Sequence, residues 1–103
     1  MASGNSPLNN TSIDLEIEAI KRFRDLASFI SPQCRVYREL NGLETVLCLD
    51  FTDCPQDLKM NQKEWSEIII WLAIVCDYLG LANYVVFKNS GRIVGRMTLE
   101  QTA

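Results

Sequence analysis

Nine apolar residues stand in a row at positions 68–76 (IIIWLAIVC), closely bracketed by Glu67 and Asp77. A bilayer span needs about twenty such residues, so no membrane partner is expected and the run must be buried by protein. Asn61 is a good helix N-cap, and Glu64 three residues on completes a capping box. Gly80 suits the left-handed position that ends a helix. A helix is therefore predicted over 62–79. At about 100° per residue, one arc of it gathers Trp65, Ile68, Ile69, Leu72, Val75, Cys76 and Leu79, enough to cover a sheet. The opposite arc holds Glu67 and Asp77 but also Ile70, Trp71, Ile74 and Tyr78. A helix apolar on both sides must be covered on both sides. Either another element of the chain encloses this second arc or it is an interface. We expect the interface, with Ile70, Trp71, Ile74 and Tyr78 as partner-binding residues packing on a second copy.

The rest of the chain supplies the sheet. At 103 residues and 48 % apolar composition it has the size and the core of one domain. Residues 1–11 are small and polar and read as a disordered tail, followed by a single domain over 12–100 whose last few residues fray. Ile13, Ile17, Ile20, Phe23, Ala27 and Ile30 recur every three or four residues, which predicts a helix over 13–30 with Ser12 as N-cap and Ser31-Pro32 as its stop. Glu18 and Arg22 form an i,i+4 pair on its wet side. The segments CRVYREL and ETVLCLDF then alternate or run apolar as strands do, about an Asn41-Gly42 dipeptide suited to a type I′ turn. NYVVFK and RIVGRM make a second hairpin in which Gly91 takes the permissive turn position. The order α-β-β-α-β-β predicts an α+β two-layer sandwich: a four-stranded, mainly antiparallel sheet with two helices on one face.

Chemistry is sparsely supplied. The chain has no histidine to serve as a general base near neutral pH, and no G-x-S-x-G, P-loop or G-x-G-x-x-G occurs. We expect no catalytic residue, cofactor or metal. Cys34, Cys48, Cys54 and Cys76 form no C-x-x-C pair. Cys48 and Cys76 sit in apolar runs and read as slow-reacting core thiols, whereas Cys54, in the loop TDCPQDLKM, is expected to be exposed and to label fastest. Asp50, Asp53 and Asp57 are oxygen donors on a short segment but lack the EF-hand spacing and glycine. The opening MASGNSPLNNTS has no charged or apolar leader region, so a reducing cytoplasmic setting with free thiols is expected, in which the sequon at Asn10 is idle.

Charge is unevenly spread. Residues 44–77 carry Glu44, Asp50, Asp53, Asp57, Glu64, Glu67 and Asp77 against Lys59 and Lys63, while residues 78–99 carry Lys88, Arg92 and Arg96 and no acid. Such asymmetry steers a partner onto one face. Lys88, Arg92 and Arg96 beside Tyr84 or Tyr37 could take single-stranded nucleic acid, with phosphates on the cations and bases on the rings. An acidic protein patch could meet the same cations. The element order resembles that of the type III secretion chaperones and of the YbjN-like proteins; no motif of theirs occurs here. Their dimerisation through a helix and their binding of partner segments are what the resemblance implies. The expected function is thus a small non-enzymatic, chaperone-like or adaptor domain that binds other proteins as a homodimer, with a nucleic-acid-binding module as the alternative.

Overall fold

Leu47 and Leu49 on one strand, and Val85 and Phe87 on the next, are alternate residues, and alternation turns all four to the same side of a sheet. They meet Phe23 from one helix and Leu72, Val75 and Cys76 from another, all buried. Removing each such large side chain from water contributes about 1.5–3 kcal/mol, so this layer carries the stability of the domain. The computed structural model of the chain describes residues 10–99, with side chains from 13 onward. Its elements are α1 (Asn10–Leu26), β1 (Arg35–Asn41), β2 (Glu44–Asp50), a short 3-10 helix (Pro55–Lys59), α2 (Gln62–Leu79), β3 (Tyr84–Asn89) and β4 (Arg92–Thr98). The predicted α-β-β-α-β-β order and the two-layer α+β fold are present. Of the tail expected over 1–11, residues 1–9 lie outside the described residues, as do 100–103, whereas Asn10 and Thr11 open α1. Among the described residues no helix is long and apolar enough to cross a membrane.

The sheet order is β1-β2-β3-β4. Both hairpins are antiparallel, but β2 and β3 are parallel in the register Val46↔Tyr84 to Asp50↔Lys88. The parallel pair follows from its connection: α2 carries the chain back across the sheet before β3 begins, and such a crossover is what a parallel neighbour requires. Asn83 fixes the start of β3 by donating from its N–H to the Thr45 carbonyl and accepting from Thr45 N–H at its side-chain oxygen, at 2.8 and 2.7 Å.

Two local expectations are corrected. α1 ends at Leu26 rather than at residue 30, and Ser12 is inside it rather than capping it. The Arg24 guanidinium donates to the carbonyls of Ser31 and Cys34, folding 27–34 into turns, so Ile30 reaches the core from a turn. Ile13 and Ile17, at the other end of the expected stripe, are exposed. The first hairpin turns on Gly42-Leu43 rather than on Asn41-Gly42, because Asn41 still pairs with Glu44. Gly42 alone has positive φ there (+66°), which suits glycine at the first central position of a II′-like turn better than I′. In the second hairpin both Ser90 (φ 53°) and Gly91 (φ 79°) are left-handed, the I′ pattern.

Candidate functional site

The outer face of α2 is open. Ile70, Trp71, Ile74 and Tyr78 are 58, 56, 51 and 78 % exposed. Most of the expected inner arc faces the core: Leu72, Val75 and Cys76 are buried, and Trp65, Ile68 and Leu79 pack partly against it, whereas Ile69, expected with them, is exposed at the edge of the arc. Enclosure of the outer arc by α1 is not what the structure shows. α1 packs near the C-terminal end of α2, where Leu15, Ala19, Leu79 and Leu81 line a shallow depression. There Arg38 of β1 holds it, donating to Glu16 at 2.8 Å and to the Leu81 carbonyl at 2.9 Å. That hydrogen-bonded guanidinium keeps the Glu16 carboxyl below its usual range. The exposed face extends past α2: Phe29, Met60, Ile68 and Trp71 border one depression. Phe29 was not foreseen, because it falls off the helical stripe and only the turn after α1 brings it round.

Among the described residues no helix covers the other side of the sheet. Val46, Cys48, Tyr84 and Val86 are nonetheless buried, under their own long polar neighbours. Lys88 Nζ donates to Tyr37 Oη and to Glu39 Oε1, both at 3.1 Å, and Cys48 Sγ donates to the same Glu39 oxygen at 3.1 Å. The Tyr37 and Glu39 acceptors push the Lys88 ammonium upward from its ordinary value, and the Cys48 thiol and Lys88 hold Glu39 low. Arg96 lies over the Tyr84 ring, 4.1 Å from its centroid, and Asn41 donates to the Tyr84 hydroxyl at 2.9 Å. Lys88, Arg96 and Tyr84 are thus brought together on one face as expected. Tyr84, however, is covered by Arg96, and Lys88 is engaged. Arg92 stands apart and exposed at the start of β4, and among the described residues neither Arg92 nor Arg96 forms an ion pair. Nothing in the sequence signalled the Lys88–Glu39–Cys48 network, which depends on the register of β1, β2 and β3 together.

All four cysteines are free and buried. For Cys54 this is a correction. The 3-10 helix that begins at Pro55 tucks the thiol into the main core, and burial, with Asp57 next, pushes its ionisation up. It is not an exposed loop thiol, and fast native labelling is not expected of it. Among the loop acids, Asp50 accepts from Thr52 N–H and Oγ at 2.9 and 2.6 Å, and Asp53 pairs with Arg35 at 3.2 Å. Among the described residues no three such side chains converge on a metal position. No protein-family model, curated protein or solved structure matches this chain.

Proposed function

We propose that this chain is a small cytoplasmic protein-binding domain of the adaptor or assembly-factor kind, without catalysis of its own, that works as a homodimer through the outer face of α2. The observation that carries the reading is the exposure of Ile70, Trp71, Ile74 and Tyr78 on adjacent turns of one helix. An apolar centre with Glu67 and Asp77 at its rim has the make-up of an interface core, and a two-fold contact sets the patch on itself. The cytoplasmic part of the reading rests on four free thiols.

The test is Trp71→Ala with Ile74→Ala, followed by sedimentation and circular dichroism. Both side chains are more than half exposed, so truncating them digs no cavity. The expected outcome is a folded protein shifted from dimer to monomer. A wild-type chain that sediments as a monomer at high micromolar concentration would remove the homodimer. Single-stranded nucleic-acid binding through Lys88, Arg92 and Arg96 is the second reading. Its support is the basic, tyrosine-bearing sheet face, and it requires Arg96 to lift from Tyr84; a salt-sensitive gel shift with an oligonucleotide tests it.

A further inference from the structure

The outer edge of β4 has no strand beside it among the described residues. Leu99 N–H donates inward to the Asn83 carbonyl at 3.1 Å. Alternation along an antiparallel strand then turns the N–H and C=O of Thr98 and Arg96 outward, free to pair. Beside this edge a groove of about 340 Å³ runs between β4 and α2, lined by the apolar Leu58, Trp65, Ile69, Phe87, Val94 and Gly95 together with Arg96. Gly95 opens it: a Cβ there would reach within 3.3 Å of the Phe87 ring. The Trp65 ring stands edge-on to Phe87, 5.6 Å between centroids, as its wall.

We propose that this edge and groove bind an extended segment of a partner protein, acidic and apolar at alternating positions, as an added strand. A strand laid along β4 alternates its side chains. Those level with Gly95 and Met97 enter the apolar groove, and those level with Arg96 and Thr98 lie over the sheet's open face, where the Arg96 charge meets them. Backbone pairing supplies affinity and the groove supplies choice of side chain. The charge selects the occupant. β4 contains Arg92 and Arg96 and no acid, so a second copy's β4 would bring four arginines together with nothing to offset them. Residues 1–9 of the chain itself carry no acid either. The proposal rests on reading the chain as a protein-binding domain but not on its dimerising, since the outer face of α2 is a different surface.

The experiment titrates the isotope-labelled full chain with a capped octapeptide alternating valine and glutamate, and in parallel with one alternating valine and lysine. Amide resonances are followed by NMR. The glutamate peptide is expected to give saturable shifts centred on the Arg96 and Thr98 amides and the Trp65 indole, weakening as salt rises; the lysine peptide gives none. Thr98→Pro removes one outward N–H and no ladder bond, and is expected to weaken binding by about tenfold, the worth of roughly one such hydrogen bond. Arg96→Glu should reverse the preference to the lysine peptide, and decides the matter if Thr98→Pro fails to fold. Equal binding of both peptides, shifts confined to α2's outer face, or no shift at about 1 mM peptide, where even a Kd of that order gives half-saturation, overturns the proposal. Sedimentation of the same samples reports dimerisation separately, so failure of the groove and failure of the homodimer are distinguishable.

Discussion

Cys34 and Cys76 are thiols whose ionisation the fold opposes. Burial pushes each from an ordinary value of 9.0 to about 12, and the neighbouring Cys54 adds to the effect at Cys34. The consequence for stability has a definite sign. A group whose folded value is raised contributes stability that is fully present below its unfolded value and is lost as pH rises towards the folded one. The window therefore opens at about pH 9. Above it each buried thiol that ionises only on unfolding removes about 1.4 kcal/mol per pH unit. Lys88, also raised, acts in the same direction further up. The urea midpoint is expected to hold between about pH 7 and 8.5 and to fall steeply between about 9 and 11, and Cys76→Ala should flatten that fall. An equal slope in wild type and variant would show that the thiol is not the cause. Individual burial was only partly legible in the sequence. Cys48 and Cys76 announced themselves by apolar neighbours, whereas Cys54, among Asp53, Pro55 and Asp57, gave no such sign. Its burial comes from where the 3-10 turn sits on the core, a tertiary fact that the local pattern does not carry.

At the scale of elements, α2 was legible from end to end because both of its ends are written in side chains. Asn61 Oδ1 accepts from Glu64 N–H at 2.9 Å, Glu64 Oε1 accepts from Asn61 N–H at 3.2 Å, and Gly80 closes the helix at φ 62°. Asn61→Ala removes one half of this box and is expected to cost about 1 kcal/mol, read as a lower urea midpoint at unchanged m-value. Since Asn61 is exposed and its partners are local, the proposed self-association should survive, and an Asn61→Ala monomer beside a dimeric wild type would mean that the outer face of α2 needs the cap for its shape. α1 was less legible. Its six-position stripe was real as a pattern, but only Phe23, Ala27 and Ile30 of it are buried, with Ile20 partly so. Arg24 bends the chain after Leu26, and hydrophobic periodicity cannot announce a turn held by a guanidinium on two carbonyls. The first hairpin likewise kept its place while its turn moved one residue along, because strand pairing through Asn41↔Glu44 outweighed the turn preference of Asn41.

At the scale of the whole molecule, the sequence carried the two-layer arrangement but not the sheet order, since each helix and hairpin has its own pattern and nothing local records that β2 and β3 lie side by side. What the molecule does carry visibly is its charge distribution, and this makes the proposed dimer testable in a way that composition alone does not. The exposed patch on α2 has Glu67 at one end and Asp77 at the other, and the chain is net −3. If two copies cross antiparallel about the middle of the patch, Glu67 of each approaches Asp77 of the other; the nearest basic residue along α2 is Lys63, one turn before Glu67, and among the described residues it forms no ion pair with it. Apolar burial then holds the dimer while the rims repel. Salt screens repulsion between exposed acids, the Debye length shrinking from about 30 Å at 0.01 M to about 10 Å at 0.1 M, while leaving apolar burial intact. Self-association is therefore expected to tighten as ionic strength rises, by several-fold across that range, in sedimentation equilibrium at neutral pH. Glu67→Gln with Asp77→Asn should give at low salt the affinity that wild type reaches only at high salt. A dimer held by ion pairs, or an assembly bridged by nucleic acid, loosens with salt instead, so a fall in association on adding salt would place the contact elsewhere than on this face.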